Sequence, residues 1–288
     1  MTKDLTRGTP WKLILQFALP IMAGNLLQQL YNTADTIIVG NFNGQQALSA
    51  VGACASLTVL FTALAIGFSI GAGVLISQYF GASRERELRQ YAATATVLML
   101  AMGLFMSLAG VVSARFLLER VLGTPEALLP MTLLYFRIYA AGLVFQFGYN
   151  IAAALLRALG DSKATLYFLL VSSVLNVALD LLFVAAFRMG VAGAAIATVL
   201  SQVLSAAFSV LVLMSKNRAV RLRINGFSGK IARKILTLGI SPFLIIATDS
   251  VMLLALNGVL QRYGGENGDL YITAATIMLS FMQVITMP

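Results

Sequence analysis

Four ionisable side chains, Asp35, Arg137, Asp180 and Asp249, interrupt stretches of sequence that are otherwise long and apolar. A charge at the centre of a membrane-spanning helix costs roughly 2.5 to 3.5 kcal/mol on insertion scales, so each needs a partner, a wet cavity or a neutralising proton. Around Asp35 the polar residues Asn25, Gln28 and Asn32 recur at steps of three or four, with Tyr31 four residues before the acid. On a helix this spacing makes one polar face. Ser172, Asn176 and Asp180 repeat every four residues, and Thr198, Gln202, Ser205 and Ser209 follow at similar steps. Carboxylate, amide and hydroxyl oxygens of this kind suit a proton or a monovalent cation such as Na⁺. The chain contains no His and a single cysteine, Cys54, which excludes imidazole catalysis and an intrachain disulfide. No nucleophile and base pair, metal cluster or phosphate-binding glycine loop is legible, so the expectation is a protein that is not an enzyme and has no cofactor beyond a coupling ion.

The elements that position these groups follow from composition. Of 288 residues 59% are hydrophobic and only 11% charged, and the mean hydropathy is +0.87. Soluble domains carry about 25% charged residues. Uncharged runs of 22 residues (13–34), 25 (90–114) and 27 (189–215) match the roughly 20 residues that cross a bilayer as helix. They are too long for barrel strands of about 10 residues, and the alternation of such strands is missing. The spacing predicts spans near 11–39, 48–80, 91–113, 131–159, 164–187, 191–214 and 231–262, with an eighth from about 269.

With the N-terminus inside, fifteen of the twenty Lys and Arg residues fall on the inner loops and four outside, which predicts a multi-pass protein of a bacterial inner membrane with a cytoplasmic N-terminus. The net charge of +9 then faces anionic lipid, and nucleic acid is not expected as a partner. On this count Asp35, Asp180 and Thr198 lie at similar depth, roughly 7 to 11 Å below the outer surface at 1.5 Å per residue. Two carboxylates in one partly desolvated layer repel when both are ionised and are expected to titrate jointly. Pairing of one acid with Arg137 is the competing structural reading, although Arg137 itself is expected to be structural or to snorkel outward.

The longest polar segment, residues 215–234, carries seven basic residues and no acid after six spans. It divides the chain into a six-helix lobe (1–214), a basic cytoplasmic linker (215–234) and the first two helices of a second lobe (235–288). A six-span unit that restarts in the same orientation is the parallel-repeat plan of many secondary transporters. The second copy is expected to be cut short, leaving an N-terminal portion of a longer protein. Pro20 removes a backbone hydrogen bond from the first span and is the expected hinge. Gly67, Gly71 and Gly73 are expected to permit close helix packing. Met22, Phe145, Phe147, Tyr149 and Met278 are candidates for an adaptable apolar wall.

The segments YNTADTIIVG and QALSAVG, LLRALGDSK after the fourth span, and NVALD followed by GVAGAAIATVLSQ resemble the multidrug and toxic compound extrusion (MATE) transporters, with the pattern nearest to the DinF-like branch. The resemblance covers essentially the whole chain. It implies an all-α polytopic fold of two six-helix lobes, of which this chain holds the first and the start of the second. It also implies H⁺- or Na⁺-coupled export of organic, often cationic or aromatic, drugs and toxins by a protein that is monomeric at full length. Matched to the family's cation site are Asp35, Asn176, Asp180 and Thr198, with Tyr31, Tyr135 and Asn150 in support and Asp249 near an acidic position of the seventh helix; Gln28, from the polar face of the first span, is a further cavity candidate. The alternatives are a flippase for lipid-linked saccharides, which calls for a cationic cavity, and an uncoupled channel or structural membrane subunit.

Overall fold

The structure is a computed structural model that describes residues 9–214, 226–263 and 278. Seven helices account for nearly all of the described chain: α1 (Pro10–Ala53), α2 (Ala55–Gly81), α3 (Glu85–Phe116), α4 (Leu129–Ala158), α5 (Ser162–Asp180), α6 (Gly190–Met214) and α7 (Gly229–Tyr263). All seven are long and apolar enough to cross a membrane. Large apolar side chains such as Val112, Phe105 and Leu211 point outward, as a lipid-facing surface requires. The predicted eighth span lies outside the described residues apart from Met278, which is exposed rather than part of a cavity wall.

Local signals set the helix ends. Pro10 opens α1, and Pro130 lies at the start of α4, where a missing backbone N–H costs nothing. Glu85 and Glu87 occupy the first turn of α3, and Arg115 its last, in accord with the helix dipole. Asp161 caps α5 by accepting the Ala164 N–H at 3.0 Å. The α7 helix begins at Gly229, so Lys230, Arg233 and Lys234, assigned from sequence to the linker, belong to its first turns. Thr94 Oγ1 ties the preceding segment to α3 through the Gly226 carbonyl and the Ser228 N–H.

Two departures from regular helix matter to the site. The first is the bend of α1, which lies at Gly44 (φ 80°, ψ 179°), whereas the helix passes through Pro20 without leaving helical dihedrals. That φ/ψ pair is essentially restricted to glycine. It explains why the predicted first and second spans leave residues 40–47 between them: the chain there is a kinked helix. The second is at Asp180, where α5 widens into a π-helical turn, Leu181–Ala186. Such turns release the regular i to i−4 bonding and recur at functional positions.

The helices pack with α4 against α3, α6 and α2, with α1 against α5, and with α2 against α7. Phe136, Phe147, Met99 and Leu143 fill the centre and are fully buried. This arrangement leaves polar faces of α1, α5 and α6 turned toward one another and toward α4.

Candidate functional site

The polar residues fall into two storeys. Near the α5–α6 end, Asp35 of α1 and Asp180 of α5 are close neighbours. As carboxylates both groups are acceptors only, so a direct bond between them would require one to carry a proton. Asp180 is fully buried. Neither of its oxygens has a hydrogen-bond partner among the described residues, nor has Asp35 Oδ1 or either polar atom of Asn176. Asn176, one turn from Asp180, is 2% exposed. Tyr135 of α4 lies within electrostatic reach of both acids. Thr198 lies on α6, its hydroxyl donating to its own helix at the Ala194 carbonyl (3.0 Å) and retaining lone pairs to accept or coordinate.

A layer of buried polar atoms without protein partners is costly unless water, a proton or a cation completes it, at about 1 to 3 kcal/mol per orphaned group. The donor set therefore fits a proton or Na⁺. Arg137 does not serve this purpose. It is exposed and forms no ion pair with either acid among the described residues, which removes the salt-bridge reading.

The second storey is a cavity of about 340 Å³ between α1, α2, α4, α5 and α6 that extends toward the α4–α5 end. Gln28, Tyr31 and Asn150 line it, together with Pro20 and Asn25. Gln28 and Asn150 therefore belong to the cavity rather than to the acid pair. Asn150 Nδ2 is turned back onto the Gln146 carbonyl at 2.9 Å. Tyr31 connects the storeys: it lines the cavity and stands one helical turn, about 6 Å, from Asp35.

Tyr149 contributes to the wall as expected, but Met22, Phe145 and Phe147 do not. Phe147 is fully buried in the core, and Phe145 is 39% exposed on α4. The apolar wall comes instead from Ile66, Ile70, Leu166 and Leu169. Asp249 lies in α7, and its side chain is outside the described residues.

Sequence reasoning named Tyr135 and Asn150 but missed Tyr139, Gln146 and Arg157 on the same helix. These five residues of α4 recur at steps of four and seven and look into the lobe. Gln146 anchors a three-membered ring at the boundary of the storeys. Its Nε2 donates to Thr62 Oγ1 (2.8 Å), its Oε1 accepts from the Tyr139 hydroxyl (3.1 Å), and Thr62 and Tyr139 meet at 3.1 Å. Tyr139 in turn stacks on Tyr135 with ring centroids 6.5 Å apart. The signal was the same helical periodicity used for α1, hidden because the intervening aromatic residues read as core. Gln146→Leu removes both halves of the ring and leaves two hydroxyls facing an apolar side chain. It is expected to lower stability by about 1 to 3 kcal/mol, read as a fall in Tm in detergent, whereas Gln146→Glu retains the acceptor and is expected to lose less.

Comparison with known proteins places the chain in a family. The family model MatE matches residues 20–182. The probable multidrug resistance protein YpnP of Bacillus subtilis is 32% identical over 262 residues, 91% of this chain and 58% of its own length. The multidrug export protein MepA of Staphylococcus aureus is 26% identical over 258 residues, 88% of this chain and 56% of its own. An outward-facing multidrug resistance MATE family transporter of the MOP superfamily superposes with a TM-score of 0.89 at 29% identity, over 98% of this chain and 63% of that one. The chain thus spans a little over half the length of these relatives. With seven apolar helices in this arrangement and the family model matching more than half of its residues, the chain belongs to the MATE family of multidrug efflux transporters.

Proposed function

We propose that the full-length protein is a cation-coupled antiporter that exports organic, often cationic or aromatic, compounds across the bacterial cytoplasmic membrane, with Asp35 and Asp180 as the coupling pair. The observation that carries this reading is the buried Asp180 carboxylate, close to Asp35 and with no donor to either oxygen among the described residues. Asn176 and Thr198 complete the oxygen set. The distribution of Lys and Arg supports a cytoplasmic N-terminus, which turns the acid pair toward the outer, cation-rich side and the cavity toward the cytoplasm.

Coupling follows from the shared helix. The α1 helix carries Asp35 at one level and Pro20, Gln28 and Tyr31 in the cavity wall at the other. Loading a cation onto the pair removes a repulsion between α1 and α5, and the resulting movement of α1 reshapes the cavity and releases the bound compound. The driving force is sufficient. Each inward charge contributes about 2.3 kcal/mol per 100 mV, against about 1.4 kcal/mol for a tenfold uphill step of a neutral solute.

The test is transport by the full-length protein in liposomes loaded with a fluorescent organic cation, under a proton gradient and under a Na⁺ gradient imposed separately. Efflux is expected with one of the two and is expected to stop when nigericin or monensin collapses that gradient. Equal flux without any gradient would identify an uncoupled channel and end the antiport reading.

A further inference from the structure

Arg157 is the only charged side chain lining the cavity among the described residues. Counted by position it belongs to a cytoplasmic loop, yet the structure puts it in the last turn of α4, on the cavity wall with Asn150 and Ala153. No ion pair to it is formed among the described residues. Nor is it needed to cap its helix, because the last carbonyls of α4 already accept backbone N–H groups: Leu155 from Leu159 (3.0 Å), Leu156 from Asp161 (2.9 Å) and Arg157 from Gly160 (2.9 Å). The nearby acid Asp161 accepts the N–H of Ala164 at the start of α5.

Other donors converge on the same chamber. Thr165 Oγ1 and Ser205 Oγ both line it, belong to residues 8% and 7% exposed, and have no hydrogen-bond partner among the described residues. A guanidinium with a planar fork of donors, beside unpaired hydroxyls and without a carboxylate, has the chemistry that recognises a carboxylate or phosphate. The aliphatic residues Ile66, Ile70, Leu166 and Leu169 of the same cavity supply a surface for an apolar body. At about 340 Å³ the chamber falls in the range of small-molecule sites.

We infer that Arg157 forms an anion subsite of this cavity, where the carboxylate or phosphate of an amphiphilic, anionic or zwitterionic compound binds while its apolar part lies against α2 and α5. This rests on reading the cavity as the substrate chamber, and it extends the substrate range beyond the cationic compounds expected from the resemblance.

The experiment uses the full chain in detergent and a matched probe pair, anthracene-9-carboxylate and its uncharged methyl ester, with binding followed by fluorescence anisotropy. The acid is expected to bind at least tenfold more tightly than the ester. Arg157→Gln is expected to erase that preference, Arg157→Lys to keep most of it, and Arg137→Gln, a change at an exposed arginine of the same helix, to leave it intact. Equal affinity of acid and ester for the unmodified chain, or an acid preference that survives Arg157→Gln, overturns this inference and leaves the chamber standing. Binding of neither probe overturns both. Competition separates the sources of the anion: displacement of the acid by inorganic phosphate assigns the subsite to free anions, and displacement by lysophosphatidate alone assigns it to lipid headgroups. Displacement by neither argues against an anion subsite.

Discussion

Asp180→Asn in the full-length protein is expected to reduce gradient-driven efflux at least a hundredfold, to the level left after an ionophore, while insertion into the membrane is unchanged. The substitution keeps the shape of the side chain and removes its capacity to gain or lose a charge. Because no donor among the described residues reaches either oxygen of Asp180, the neutral amide relieves a desolvation penalty rather than breaking a bond. Stability measured as Tm in detergent is therefore expected to hold or rise as transport falls.

That opposition of sign separates a coupling role from a structural one. An acid held for stability by a buried ion pair loses several kcal/mol when neutralised, with transport lost as a by-product. Asp35→Asn is expected to reproduce the transport defect. The double variant is expected to be no worse than either single one, since the two acids act as a joint titrating unit. Normal gradient-driven transport by both single variants would sink the coupling assignment.

The parts of this site that were legible in the sequence are those in which a polar residue interrupts an apolar background. Asp35, Asn176 and Asp180 stood out because ionisable and amide groups are expensive inside a span, and their spacing put each set on one helix face. That α1 and α5 adjoin, bringing the two acids together, was suggested by similar depth along the chain and by the resemblance, not by any local pattern. Packing decided it.

Arg157 was hidden for the opposite reason. A basic residue near a span end is normal, and nothing in its local pattern distinguishes a side chain turned into a cavity from one reaching for lipid phosphates. Phe147 failed as a cavity residue because an aromatic on a helix has no polar neighbour pattern to reveal which face is buried. Pro20 reads as a hinge of α1 from the general rule for proline in helices, a reading about movement rather than about the kink at Gly44. Positive φ at Gly44 is instead a property of the backbone path, and the tolerance of Gly44 for it was legible only in hindsight.

The joint between the six-helix lobe and α7 yields the second large effect. Gly67 and Gly71 lie one turn apart on α2 and face α7. A Cβ on Gly71 would sit 2.5 Å from the Gly239 backbone nitrogen and 2.7 Å from its Cα. One on Gly67 would sit 2.6 Å from the Phe243 nitrogen, and one on Gly239 would meet Phe68 Cα at 2.8 Å. These obstacles are mostly main-chain atoms, which cannot rotate away, so the helices must separate. Gly73, two residues further along α2, offers a matched control: a Cβ there meets Ala154 Cβ at 3.7 Å, an ordinary contact.

Gly73→Ala is therefore expected to be neutral or to gain up to about 1 kcal/mol from helix propensity. Gly71→Ala carries the same gain but is expected to lose about 1 to 3 kcal/mol net through overpacking. Gly71→Leu is expected to lose more, because it drives a branched side chain into the α7 backbone. Thermal unfolding in detergent reads the contrast as a clear fall in Tm for the Gly71 variants alone. Equal Tm values for Gly71→Ala and Gly73→Ala would show that α7 does not rest on this glycine face, and the contact between α7 and the six-helix lobe would then have to be carried by side chains that can repack.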